Sequence, residues 1–236
     1  GLVDVAAGPD AWVAVGVGPE DSDEPGFILH SPDGATWTPV EAPALRWRSV
    51  AYQNGRFLAI GYDAATDREV LARSVGGTSW TYTGAETELL SPRLTAGNGR
   101  FVLWGEAGWI LRSENGAEWN VTDFVPLNRI TAFTRSGDEW IGFGVYDCCF
   151  GERPDRIEYY RFRGNDQGQW ILEELVQRTF VFALAGNGET WVAVTSEGLA
   201  RSPNAASWQP IPGFDDPTRP VLDVTWAEGR FVAVGR

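Results

Sequence analysis

Methionine and lysine are absent from this 236-residue chain, histidine occurs once and cysteine twice. The missing methionine includes the initiator, so the expectation is a processed chain or part of something longer. Without lysine, all 19 basic residues are arginine. GC-rich codon usage is the plainer explanation, since a preference for bidentate anion binding accounts for only a few of them. The cysteines and the single histidine have no zinc-type spacing, and a serine hydrolase would lack a credible base. Apolar runs are short. The longest, such as "FVFALA" at residues 180–185, fall far below the ~20 residues that cross a bilayer, so no transmembrane segment is expected. The N-terminus opens on strand-like sequence, so no signal peptide is expected there. No helical periodicity of useful length occurs, nor a glycine loop leading into a helix that would cradle phosphate. No metal and no cofactor are expected.

The composition that remains is that of a folded acidic protein. Hydrophobic residues make up 43% and aromatics 13%, and no polar low-complexity run suggests disorder. The net charge of -13 and pI near 4.5 argue against nucleic acid or an anionic membrane as the main partner. Such acidity is compatible with an extracytoplasmic setting, whether periplasmic, secreted or lipid-anchored. The acidic stretch "PEDSDEPG" (19–26) offers oxygen ligands but lacks the regular spacing of a calcium loop, so it reads as a solvated loop. His30 reads as a strand residue.

The chain repeats itself. "VAYQNGRFLAIG" (50–61), "LTAGNGRFVLWG" (94–105) and "VTWAEGRFVAVG" (224–235) align, with looser copies beginning at residues 5, 130 and 184. Each copy is an apolar run, a turn rich in Asn, Gly or Asp, and an aromatic opening a second β-rich run, which is a hairpin signal. After five of the six comes a second strand–turn–strand unit, degraded in the fourth repeat, where the turn and Trp170 survive. The unit is therefore four strands, A to D, with a period of roughly forty residues. An isolated four-stranded sheet cannot bury both faces, so such units stack radially as the blades of a β-propeller. The repeats fall at about 3–46, 47–91, 92–127, 128–177, 178–217 and, partial, 218–236 of a single domain spanning residues 1–236. Five and a half units predict a six-bladed ring with an incomplete last blade; a five-bladed ring with an appended hairpin is the alternative.

The turn between strands C and D has its own signature. "SPDGATW" (31–37) returns as "SVGGTSW" (74–80), "SENGAEW" (113–119) and "SPNAASW" (202–208). Serine and Asp or Asn oxygens can satisfy backbone N–H groups of their own turn, and glycine permits positive φ. Ser31, Asp33, Gly34 and Trp37 fit this best, followed by Ser113, Asn115, Gly116 and Trp119. The turn at Ser74 and Trp80 has glycine at the acidic position, and that at Ser202 and Trp208 lacks the following glycine. Trp37, Trp80, Trp119, Trp170 and Trp208 are expected at equivalent, mostly buried positions. This signature resembles the Asp-box, or BNR, repeat of sialidase-like β-propellers. The resemblance implies a sheet-corner fastener on one face of the ring, with ligands on the opposite face of the D–A and B–C loops.

Candidate binding residues collect on that opposite face. The B–C loops are long in repeats one, two and four, and insertions on one side of a repeat architecture often mark its binding face. Each D–A crossover carries an arginine near the start of strand A: Arg48 (with Arg46 close by), Arg93, Arg129, Arg178 and Arg219. The plainer reading is pairing with local Asp and Glu; the functional reading is a site for an acidic group at the channel mouth. Tyr62 and Tyr146 begin two of the long loops and could supply stacking walls. Cys148 and Cys149 are adjacent, so a vicinal disulfide would be strained. A bridge is the expectation, with two free thiols the alternative.

Sialidases hold a substrate carboxylate with an arginine triad and attack with a tyrosine paired to glutamate. The Arg-Ile-Pro opening motif of those enzymes is missing here. In "RIEYY", Glu158 and Tyr159 are adjacent on one strand and face opposite sides, so they are not expected to pair. No catalytic residue is assigned. The reading is a non-catalytic ligand-binding or protein-interaction and assembly platform, whose partner is another protein, an acidic small molecule or a glycan. The alternative is a sialidase-like glycoside hydrolase or lyase acting on an acidic glycan.

Overall fold

The computed structural model describes residues 1–19, 24–87, 89–147, 157–175, 179–216 and 218–235. Among them every regular element is a strand, and no helix is long and apolar enough to cross a membrane. Blade one comprises β1 (Leu2–Ala7), β2 (Trp12–Gly16), β3 (Phe27–Ser31) and β4 (Thr38–Val40). Blade two comprises β5 (Arg46–Gln53), β6 (Arg56–Asp63), β7 (Arg68–Ser74) and β8 (Thr81–Thr87). Blade three is β9 (Arg93–Gly97), β10 (Arg100–Trp104), β11 (Trp109–Ser113) and β12 (Asn120–Phe124). Blade four is β13 (Arg129–Ser136), β14 (Glu139–Asp147), β15 (Ile157–Gly164) and β16 (Trp170–Glu174). Blade five is β17 (Val181–Gly186), β18 (Trp191–Thr195), β19 (Gly198–Ser202) and β20 (Gln209–Pro210). A two-stranded sheet, β21 (Val221–Ala227) with β22 (Arg230–Gly235), completes the series.

Within each sheet the strands follow chain order and pair antiparallel. The first strands contact one another in sequence around the axis, and β21 lies against both β17 and β1. The protein is thus an all-β propeller of five four-stranded blades plus an incomplete sheet. Six blades are not present, because β21–β22 carries no third or fourth strand among the described residues.

The core lies between neighbouring blades. The second strand of each full blade is paired on both edges and packed on both faces, so Trp12 to Val15, Phe57 to Ile60 and Phe101 to Leu103 are almost wholly buried. Each Val, Leu, Ile or Phe among them contributes about 1.5–3 kcal/mol of apolar burial. The five C–D tryptophans also pack against these inter-blade clusters. Only Trp80 is fully buried, however; Trp37, Trp119, Trp170 and Trp208 are half-buried. They sit at the outermost strand, where one edge of the ring faces solvent, and this corrects the expectation that most would be enclosed.

The turns follow the physical logic of their residues. Ser31 Oγ accepts from Gly34 N (2.8 Å), while Asp33 Oδ1 accepts from Ala35 N (2.8 Å) and Thr36 N (2.7 Å). These bonds hold the Asp33 carboxylate at a pKa of about 2. Ser113 with Asn115 and Ser202 with Asn204 repeat the pattern. At Ser74 the hydroxyl still caps Gly77 N (3.0 Å), and Trp80 Nε1 donates to Gly77 O (3.0 Å). Where the Ser202 turn lacks glycine, buried Ala205 takes the left-handed backbone (φ 53°) instead.

These turns also tie blades together. Asn54, in the β5–β6 turn, donates to Glu114 O in blade three, and Asn98, in the β9–β10 turn, to Asp166 in blade four. Arg230, at the β21–β22 turn, reaches Asp33 O in blade one (2.5 Å). The same interlock therefore joins the last sheet to the first.

Candidate functional site

Five of the six first strands carry a β-bulge near their start. The register skips Val3, Arg48, Thr131, Phe182 and Leu222 in turn. A bulge leaves one residue unpaired and re-aims its side chain. Val3, Arg48, Thr131 and Phe182 all line one cavity of about 320 Å³. Arg93, which by register holds the place of Ser49 rather than that of Arg48, and Arg129, at the start of β13, join them. Three of the five crossover arginines thus converge on one mouth, with walls formed by Trp47, Trp104, Phe180 and Phe182.

The three guanidinium groups are held differently. Arg48 Nε donates to Glu69 Oε1 at 2.6 Å. Burial raises the Glu69 pKa, and the Arg48 charge opposes that rise. This arginine follows the plainer reading of local pairing. Arg93 Nη1 instead donates to the backbone carbonyl of Arg48 (3.1 Å). The Arg129 guanidinium lies 5.8 Å from the centre of the Phe180 ring. Among the described residues, Arg93 and Arg129 make no ion pair with any carboxylate within 4 Å. Glu106, whose backbone bridges to Arg129, is the single carboxylate among the described residues that line the cavity. The buried indole N–H groups of Trp47 and Trp104, both in the lining, also find no acceptor among the described residues.

The remaining candidates lie elsewhere. Arg219 is exposed and does not line the cavity. Tyr62 donates to Asp67 Oδ1 (2.6 Å), a bond that raises the phenol pKa, and Tyr146 is largely exposed; neither tyrosine lines the mouth. The stacking walls come instead from Phe180 and Phe182, which the sequence pattern did not single out. Arg178, Cys148 and Cys149 lie outside the described residues, as do residues 20–23 of the acidic stretch. No group of three or more His, Cys, Asp or Glu among the described residues is placed to hold a metal.

Glu158 does pair with a tyrosine, but with Tyr160 rather than Tyr159. The Tyr160 hydroxyl donates to Glu158 Oε2 at 2.8 Å, as two residues on the same side of β15 can. That bond, with burial and the nearby negative charges, pushes the phenol up to about 12. The pair is absent from the lining of the arginine mouth.

Below the mouth, the axis is a polar channel of about 250 Å³. At three of the five bulges the residue that follows accepts a hydrogen bond from a neighbouring first strand there. Asp223 Oδ2 accepts from Val5 N (3.0 Å), Asp4 Oδ2 from Val50 N (2.9 Å), and Ser49 Oγ from Leu94 N (3.0 Å). Asp223 reaches the first blade from the last sheet, so it is a latch across the seam of the ring. Burial pushes its pKa well up, and the adjacent Asp4 carboxylate adds to the rise.

The sequence matches no protein-family model and no curated protein. Among solved structures the fold is similar to one in a nidogen/laminin complex, with a TM-score of 0.65 and 10% identity over 90% of this chain and 83% of that one. TolB from Acinetobacter baumannii has a TM-score of 0.59 and 13% identity over 88% of this chain and 53% of its own. The WD40 β-propeller domain of Doa1 has a TM-score of 0.57 and 11% identity, covering 98% and 75%. At such identities the likeness establishes the β-propeller fold alone.

Proposed function

We propose that this chain is an Asp-box propeller working outside the cytoplasm as a non-catalytic ligand-binding or protein-interaction platform, which takes an acidic group at the Arg48–Arg93–Arg129 mouth. The observation that carries this reading is the pair Arg93 and Arg129, set in one aromatic-walled cavity with no carboxylate oxygen within 4 Å of either guanidinium among the described residues. In a chain of net charge -13, such a local excess of positive charge attracts carboxylates that the rest of the surface repels. Guanidinium groups suit that task because their planar donors match a carboxylate. The ring fold and its structural neighbours are compatible with an interaction platform.

The sialidase-like alternative rests on the Tyr160–Glu158 hydrogen bond. A tyrosine pushed up to about 12 is held as the phenol at neutral pH, and it is separate from the arginines that would hold the substrate. Arg93→Ala with Arg129→Ala, tested with N-acetylneuraminate and with a hexaglutamate peptide, is expected to lower affinity at least tenfold in a protein that remains folded at the assay temperature. A fluorogenic sialoside should be turned over by neither protein. Unchanged binding of both probes would remove the site, and arginine-dependent sialoside cleavage would establish the hydrolase instead.

A further inference from the structure

The mouth holds more apolar surface than an acid alone would use. Apart from its arginines, its lining is mostly aliphatic and aromatic among the described residues. Phe182 is the clearest instance. The β17–β18 register passes over it between Val181 and Ala183, so it stands outside the ladder and lines the cavity. It is 44% exposed there, although it belongs to a first strand beside the axis. The equivalent bulges place Val3, Arg48 and Thr131 in blades one, two and four, so the aromatic ring is particular to blade five. Phe180 lies beside it, with ring centroids 4.6 Å apart and planes inclined by 40°. A large apolar side chain left open inside a concave site marks where the apolar body of a ligand is covered.

The charges present limit how many acids that ligand carries. Glu69 answers Arg48 at 2.6 Å. Arg93 and Arg129 then stand against Glu106 alone in the lining of the mouth, among the described residues. One added carboxylate balances this set. A second would meet Glu106 or, further down, the Asp4 and Asp223 carboxylates of the channel, whose lining Arg93 shares. Like charges brought together in a partly enclosed site repel strongly. The volume of about 320 Å³ lies at the lower end of the range for small-molecule pockets. It has room for one ring on a short chain rather than for an oligomer.

We infer that the mouth is built for an aromatic monocarboxylate, its acid on Arg93 and Arg129 and its ring against Phe180 and Phe182. This rests on the acid-binding reading of the same cavity and narrows it from any acidic group to one class. Tilted and offset ring contacts add to the apolar burial itself. A polyacid offers neither the ring nor the single charge.

The test is calorimetric titration of the whole chain at neutral pH with 3-phenylpropionate, with the dicarboxylate glutarate and with the neutral 3-phenylpropanol. Burial of the ring together with the acid should make 3-phenylpropionate bind at least about tenfold more tightly than either of the others. Phe182→Ala should remove the advantage over glutarate and leave hexaglutamate binding unchanged. Glu106→Gln is an independent arm: relief of one opposing charge should strengthen glutarate more than 3-phenylpropionate, because the dianion feels that charge twice. Hexaglutamate separates the class of ligand from the site itself. If it binds through Arg93 and Arg129 while 3-phenylpropionate binds no more tightly than glutarate, the aromatic class is overturned and the acid site stands. If 3-phenylpropionate keeps its advantage in Phe182→Ala, or glutarate gains nothing from Glu106→Gln, the class is overturned likewise. If no acid binds in an arginine-dependent way, or 3-phenylpropanol binds as tightly as the acid, both readings fall.

Discussion

Asp223→Asn is expected to raise stability at neutral pH and to flatten its dependence on pH. Asp223 sits on β21, accepts from Val5 N in β1, and is hydrogen-bonded to Asp4. Asp4 is itself committed to Val50 N and to the Ser49 hydroxyl. Two carboxylates so placed cannot both ionise cheaply. Burial first, then the Asp4 charge and hydrogen bond, raise the Asp223 pKa, and Arg93 is the one cation opposing the rise. The folded state therefore keeps a proton that the unfolded chain releases. The stability this confers is complete below about pH 4, the unfolded value, and is lost as pH rises through the folded value.

Asparagine reproduces the neutral acid. Its amide can donate to Asp4 and its carbonyl can accept from Val5 at every pH. A gain of about 1–2 kcal/mol at pH 8 is expected, on the scale of one buried hydrogen bond kept rather than broken. Thermal unfolding from pH 4 to pH 8 checks this: the parent midpoint should fall across the range and that of the variant much less. Asp33, Glu173 and Asp216 have lowered pKa values and act in the opposite sense, losing stability as pH falls through those values. An acid limb should therefore remain in both proteins. Identical slopes above pH 4 would show that the seam holds no proton.

The second large effect is expected at Trp12. It is 0% exposed in β2 and packs with Val5, Ala14 and Val234, spanning the seam between the first blade and the last sheet. The Arg230 guanidinium covers its ring. Trp12→Ala should cost about 3–5 kcal/mol, the range for emptying a large aromatic site. For a chain of this size that is a fall of roughly 6–20 °C in the thermal midpoint. Trp109, 44% exposed on β11, is the comparison; its replacement by alanine should cost less than about 1 kcal/mol. Equal losses at the two positions would show that the seam is no more sensitive than the rim.

Much of this architecture was legible because hairpin chemistry is local. An Asn-Gly or Glu-Gly turn between apolar runs specifies its own strand pair, and β5–β6, β9–β10 and β21–β22 fall where those turns place them. That Arg48, Arg93 and Arg129 lie near the entry to strand A was legible, although their register positions differ. What separates them was not. The bulge that aims Arg48 inward skips Val3, Thr131 and Phe182 in other repeats, so it has no residue signature. The Glu69 partner of Arg48 comes from β7, at a register fixed by the whole blade. The Asp4–Asp223 contact joins residues 219 positions apart in sequence, counted as 223 minus 4. Neither aspartate belongs to a motif, and only ring closure brings them together. Tyr160 with Glu158 could have been found, since residues two apart on a strand share a face.

The most direct measurement is a titration of uniformly 15N-labelled protein with hexaglutamate, following the Nε–Hε signals of its 19 arginines. Arg93→Ala and Arg129→Ala assign the two that matter. Saturable shifts confined to Arg93, Arg129 and Arg48, with Arg219 and Arg135 unmoved, are the expected result. Shifts of equal size spread over the exposed arginines, or none at the mouth, would contradict an acid-binding site there.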